Sequence, residues 1–99
     1  MTVYMAQAKI KAEHVTELQA AADKMFAAVE AVQPEGIRYA WALLDDGETF
    51  VALVQADEGV ENPIPGLPEY QELQARMADS LASAPTRQQL TVVGSYRLF

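Results

Sequence analysis

The side chains of this sequence that could bind or transform a small molecule are few. His14 is the single histidine and the only group expected to titrate near neutrality. Tyr39 and Trp41 are two positions apart, so in a strand they share a face and could line an aromatic cavity by stacking and through an O–H and an N–H. No nucleophile–base motif and no glycine-rich phosphate loop is present. The candidate ligand-binding residues are His14, Tyr39, Trp41, Asn62, Tyr70 and Arg97; no catalytic residue is predicted.

Each of the remaining candidates has a structural alternative. His14 is either a base or axial ligand at a pocket mouth, or an exposed or helix-capping residue; a lone histidine does not predict a metal site. Tyr70, with Met77, either lines the helix side of a pocket or belongs to the helix–sheet core. Asn62 either donates to a ligand at the pocket entrance or stabilises a turn. Arg97 either holds an anionic ligand, pairs with an acidic residue, or lies at a solvated strand end.

The composition predicts one small globular domain, residues 1–99, in a reducing cytoplasm. Hydrophobic residues make up 51% of the chain, and no apolar run approaches the roughly 20 residues that span a bilayer. Cysteine is absent, and no basic and apolar leader precedes the first strand-like segment. The net charge is −7 and the basic residues are scattered, which argues against nucleic acids and membranes as partners.

The strand-like segments are apolar on both faces. They span Thr2–Ile10, Ile37–Asp45, Glu48–Ala56 and Gln89–Phe99. In the second segment the aromatic residues Tyr39 and Trp41 alternate with Ala40 and Ala42, whereas a sheet with one face in water would alternate apolar and polar residues. Two helices can cover one face, so the other must meet another subunit, a ligand or both. The sequence leaves open whether the aromatic or the slimmer aliphatic face meets the helices, and so whether Tyr39 and Trp41 line a pocket or seal a dimer.

A hairpin is predicted around Asp46-Gly47. Asp-Gly between two strand-like runs favours a type I′ turn, in which both central residues have positive φ. The resulting register places large side chains opposite small or aliphatic ones, as cross-strand packing favours. The predicted pairs are Leu43 with Phe50, Trp41 with Ala52, and Tyr39 with Val54.

Two amphipathic helices complete the chain. The first is predicted from Glu13 to about Gln33, ended by Pro34 and Gly36; the second begins at Pro68 and runs to about Ala84. Their apolar stripes are Val15, Leu18, Ala22, Met25, Val29 and Val32, with Phe26 beside them, and Tyr70, Leu73, Met77 and Leu81. The order strand, helix, strand, strand, helix, strand predicts an α+β fold of the ferredoxin-like split βαβ type, with two helices on one face of a four-stranded antiparallel sheet in the order 4-1-3-2.

Stretches along the whole chain resemble a known group of proteins. They are VYMA at 3–6, GIRY at 36–39, DGETFV at 46–51, LPEYQELQARM at 67–77 and LTVVGSYRLF at 90–99. In their order and spacing the chain resembles the dimeric α+β barrel superfamily, and within it the antibiotic-biosynthesis monooxygenase-like proteins of unassigned function. The resemblance implies a homodimer whose two sheets pack face to face, with the helices outside and a pocket between each sheet and its helices. Active members include cofactor-free oxygenases, haem-degrading enzymes and small isomerases.

The departures from that group decide the functional hypotheses. Oxygenase-like members carry a Trp in a Glu-x-Trp-like run near the third strand and a His on the second helix; here residues 53–57 read LVQAD and the second predicted helix has no His. The favoured hypothesis is therefore a homodimer that binds a small apolar or aromatic molecule between sheet and helices, without cofactor or metal. The alternative is a cofactor-independent monooxygenase-like enzyme acting on an aromatic substrate. A third hypothesis is a non-catalytic interaction module.

Overall fold

The computed structural model describes residues 2–99, which form an antiparallel sheet with two helices on one face. The elements are β1 (Thr2–Lys9), α1 (Val15–Val32), β2 (Ile37–Leu43), β3 (Thr49–Ala56), α2 (Pro68–Ser80) and β4 (Thr86–Thr91). Short 3-10 turns at Ala12–His14 and Ile64–Gly66 precede the two helices. The strand order β2-β3-β1-β4 is the predicted order read from the other edge, so the α+β, ferredoxin-like prediction is confirmed.

The helix ends follow from residues that restrict the backbone. Pro68 occupies the start of α2, where its missing N–H leaves no hydrogen bond unmade. Gln33 ends α1 in the left-handed region, with φ at 49°, and its N–H donates to the Val29 carbonyl. Ser80 ends α2 before the predicted Ala84, and Leu81 instead bridges to Ile10 beside β1.

The aromatic face of the sheet meets the helices. Phe50 is buried against Leu18 and Met25 of α1 and Leu73 of α2, and Tyr39 and Trp41 pack against the same core. The Phe26 ring lies 5.3 Å from the Tyr39 ring, centroid to centroid. The question that the sequence left open is therefore answered: Tyr39 and Trp41 lie on the helix-covered side, and the slimmer face is the open one.

The hairpin register is confirmed, but the predicted turn type is wrong. β2 and β3 pair Tyr39 with Val54, Trp41 with Ala52 and Leu43 with Phe50. Only Gly47 in the turn has positive φ, at 71°. Asp46 stays out of the left-handed region because its carboxylate accepts the Glu48 and Thr49 N–H groups and the Thr49 hydroxyl, at 2.6–2.9 Å.

The fourth strand is shorter than predicted and begins earlier. Thr91, opposite Thr2, is the last residue paired with β1 as the structure describes that strand, and Gly94 follows, which weakens a strand. Residues 92–99 instead lie against the open face, where Tyr96, Leu98 and Phe99 form a second cavity, of about 330 Å³, with Val3, Leu53 and Leu90. The predicted strand through Phe99 is therefore wrong, and this segment shelters one end of the open face.

Candidate functional site

A cavity of about 530 Å³ lies between the helix-facing side of the sheet and α2. Its floor is one row of paired residues that crosses all four strands. Trp41 is opposite Ala52, Ala52 is opposite Ala6, and Ala6 is opposite Arg87. Directly paired residues share a face, so two alanines lie between a tryptophan and an arginine about 14 Å apart, at about 4.8 Å per strand step. The space exists because the two central positions carry only a methyl group.

The second helix forms the opposite wall. Tyr70, Gln74, Met77 and Ala78 recur at helical spacing and line the cavity, and Leu81 closes its end. Behind this wall Leu73 is fully buried and fixes α2 on the sheet. On the outer side of α2, Arg76 bonds to Glu72 and to Glu17 of α1, which lowers the pKa of Glu17 together with a bond from His14.

The polar centre of the cavity is the Tyr39–Trp41 pair. The Trp41 Nε1–H donates to the Tyr39 hydroxyl at 2.8 Å. Burial disfavours the phenolate and raises the pKa of Tyr39 from 10.0 to about 12; the Trp41 hydrogen bond acts in the opposite direction and the nearby Tyr70 adds to the rise. Tyr39 is therefore protonated at neutral pH. Because its oxygen already accepts from Trp41, its own O–H remains available to donate to a bound acceptor.

The mouth of the cavity is polar and positively charged. Gln74 and Gln89 line it together with Arg87, the one charged side chain among the lining residues of the described chain. No hydrogen bond or ion pair links Arg87 to any residue within 2–99. No carboxylate or imidazole lines the cavity in that range, so it offers an aromatic wall, hydrogen-bond donors and one cation, but no base for neutral pH.

The structure brings together three of the six predicted site residues. Tyr39, Trp41 and Tyr70 line the cavity, as does Met77. His14 lies outside both described cavities, at the start of α1, where its Nδ1 is 3.5 Å from a Glu17 oxygen.

Asn62 and Arg97 also lie away from the cavity lining. The Asn62 Oδ1 accepts the Ile64 N–H at 3.0 Å, which is the turn-stabilising alternative. Arg97 belongs to the segment over the open face, at φ 60°, with its guanidinium 5.2 Å from the centre of the Tyr96 ring.

Sequence reasoning missed Arg87 and Gln89 as cavity residues. The polar run Thr86–Thr91 gives no hydrophobic alternation, because β4 is an edge strand that pairs on one side and is mostly exposed. The usable signal was parity: once β4 pairs with β1 in antiparallel register, Arg87 and Gln89 share the face of Ala6 and Tyr4.

Neither a metal cluster nor a membrane span is found in the described part of the chain. Across residues 2–99, no three His, Asp or Glu side chains come together in a way that could hold a metal ion. Neither described helix has the length and apolarity needed to cross a bilayer.

Comparison with known proteins identifies the fold. No protein-family model and no curated protein sequence matches the chain. Among solved structures, Rv0793 from Mycobacterium tuberculosis superposes with a TM-score of 0.72 at 19% identity, covering 95% of this chain and 96% of that one. A protein of Nitrosomonas europaea, provisionally named an antibiotic biosynthesis monooxygenase, gives 0.77 at 15% identity, covering 95% and 100%. A similarly named protein of Caulobacter crescentus gives 0.73 at 20%, covering 94% and 90%. The chain therefore has the ferredoxin-like fold of antibiotic-biosynthesis-monooxygenase-like proteins, over nearly its whole length.

Proposed function

We propose that this protein binds a small, mainly aromatic molecule in the cavity between the sheet and α2. The observation that carries the proposal is the alanine floor of Ala6 and Ala52, flanked by Tyr39, Trp41 and Tyr70. A volume of about 530 Å³ falls within the range of small-molecule sites. Predominantly aromatic walls with a few convergent donors favour a flat ring system that carries an oxygen acceptor.

Binding is favoured over proton-abstracting catalysis by the chemistry of the lining. A cofactor-independent oxygenase of the kind suggested by the fold must activate an electron-rich substrate, commonly by removing a phenolic proton. Tyr39, with its pKa raised to about 12, retains its own proton at neutral pH. The oxygenase alternative predicts oxygen uptake that depends on an added polyphenol; an oxygen electrode would detect this activity.

We further propose that two copies pair through the open sheet face. Its exposed or half-buried apolar residues are Met5, Ala40, Ala42, Val51 and Leu53. The residues 92–99 segment lies at the Val3 and Leu90 end, and Ala40 and Ala42 remain exposed on β2. An apolar face of this kind is favourable to bury against its own copy.

The binding proposal is testable through Trp41, because the chain has one tryptophan. Its single indole N–H resonance should shift saturably when naphthol, a neutral bicyclic probe, is added. Ala52→Leu fills the floor and should weaken naphthol binding roughly tenfold or more, while the fold is retained because the added side chain occupies empty space.

The matched control is Ala27→Leu, the same change at an exposed position of α1, which should leave naphthol binding unchanged. Two results would contradict the proposal: no shift of the Trp41 resonance at millimolar naphthol, or unaltered binding by Ala52→Leu.

A further inference from the structure

Arg87 is a cation held at the cavity mouth without an internal counter-ion. The other arginines of the folded sheet and helices have carboxylate partners: Arg38 lies 3.4 Å from Asp57, and Arg76 bonds to Glu72 and Glu17. Arg87 has neither an ion pair nor a hydrogen bond among residues 2–99, although the chain has 14 acidic residues and a net charge of −7. The one unpaired guanidinium on the cavity wall therefore faces the space that a ligand would occupy.

The register fixes the direction in which a ligand would lie. Arg87 and Trp41 are the two ends of the row that Ala6 and Ala52 complete. A planar ring on the two alanines would meet the indole of Trp41 at one end and point its other end towards Arg87. The amide side chains of Gln74 and Gln89 line the same cavity and can donate to the same group.

We propose that the ligand is an aromatic acid, with its ring system on the alanine floor and a carboxylate paired with Arg87. This inference rests on the proposed binding function. A guanidinium presents a planar fork of donors that matches the two oxygens of a carboxylate, and the pairing is stronger where one side of the pair is shielded from water. With no acidic side chain in the cavity lining between residues 2 and 99, nothing there repels such an anion.

Paired probes of nearly equal shape test the charge requirement. Naphthoate and its neutral carboxamide differ in charge but little in size, and each is titrated against the full-length protein at neutral pH with Trp41 as the reporter. The unmodified protein should bind naphthoate roughly tenfold more tightly than the carboxamide, the scale of a charge-assisted hydrogen bond at a partly exposed site. The preference should shrink as salt is added.

Variants of arginine assign the preference to one residue. Arg87→Gln should abolish the preference while leaving carboxamide binding unchanged, and Arg87→Lys should retain part of it, because lysine keeps the charge but loses the fork. Arg97→Gln makes the same charge change on the segment over the other face of the sheet and should leave the preference intact.

The possible failures separate the two proposals. Equal binding of naphthoate and carboxamide by the unmodified protein, or a preference that survives Arg87→Gln, overturns the aromatic-acid inference and leaves aromatic binding standing. Absence of binding by both probes overturns the binding proposal and this inference with it.

Discussion

Tyr39 carries the chemical character of the cavity. Its hydroxyl accepts from Trp41 and lies in a buried setting that disfavours the phenolate, so at neutral pH it acts as a donor. A hydrogen-bond donor beside an aromatic wall recognises an acceptor oxygen on a flat ligand, whereas a base at the same place would remove a proton. The identity of this one group therefore separates recognition from catalysis more sharply than the shape of the cavity does.

The raised pKa of Tyr39 predicts a specific loss of stability at high pH. Its folded pKa of about 12 exceeds the ordinary value of 10.0, so between these values the folded protein holds a proton that the unfolded chain has released. The free energy of unfolding should therefore fall as pH rises from about 10 towards 12, and fall less in Tyr39→Phe. Urea unfolding across this interval measures the difference between the two proteins.

Two further measurements test the cause of this effect. Unfolding at neutral pH isolates the hydrogen bond from Trp41 that Tyr39→Phe also removes. The difference in phenolate absorbance between the two folded proteins should show one tyrosine titrating near pH 12. A midpoint near the ordinary value would mean that the hydroxyl is solvated and that the cavity is wetter than its aromatic lining indicates.

At this scale the sequence predicts the apolar site residues well and the polar ones poorly. Tyr39 and Trp41 could be paired in advance because alternation along a strand puts them on one face. Arg97 was the predicted anion-binding residue, whereas Arg87 lines the cavity. Which arginine reaches the cavity depends on the register of β4 against β1, and the polar residues of this edge strand do not encode that register.

Turns and strand ends are where element-level prediction fails. The β2–β3 register could be predicted because both strands bury one aromatic face, and a one-residue slip would expose it. The turn type could not, because the carboxylate of Asp46 competes for the same N–H groups that a type I′ turn would leave to the backbone. Pairing beyond Thr91 depends on residues opposite it in β1 rather than on its own β-propensity.

Gly36 should be the more sensitive of two glycines with the same backbone conformation. Gly36 and Gly47 have φ of 73° and 71°, which L side chains rarely adopt. A Cβ on Gly36, before β2, would lie 2.9 Å from a Val60 methyl and 3.2 Å from an Asp57 carboxylate oxygen, whereas one on Gly47 would meet nothing within 4 Å. Gly47→Ala should therefore cost about 1 kcal/mol from φ alone, and Gly36→Ala about 1 kcal/mol more, the lower end of overpacking costs.

Urea unfolding of both alanine variants separates the two contributions. Gly47→Ala is the control, since it shares the φ cost and lacks the contact. Equal losses in the two variants would show that the Asp57–Val60 loop moves aside freely, and would remove any restraint by this loop on the start of β2.

At the scale of the whole molecule the asymmetry between the two sheet faces is the feature that calls for a partner. The helices bury the aromatic face, and residues 92–99 shelter only one end of the other. Val93, Tyr96 and Leu98 in that segment are themselves 100%, 82% and 66% exposed. The sequence could predict that the second face needs cover, because apolar residues fall on both parities of the strands. It could not predict that the chain supplies part of the cover itself, because that depends on where β4 stops.

The proposed dimer makes the effect of a charge on the open face depend on association. Ala40 is exposed on β2, in the row with Leu53, Met5 and Gln88. Aspartate there faces water in a protomer and costs the protomer little, but pairing of the two faces would bury it without a counter-ion. Such a charge costs several kcal/mol, so Ala40→Asp should raise the dimer dissociation constant roughly a hundredfold or more. Size-exclusion chromatography with light scattering reads this directly. Ala27→Asp, the same change at an exposed position of α1, should leave association unchanged. A monomeric unmodified protein at micromolar concentration would rule out the dimer, and a dimer unaffected by Ala40→Asp would place its interface elsewhere.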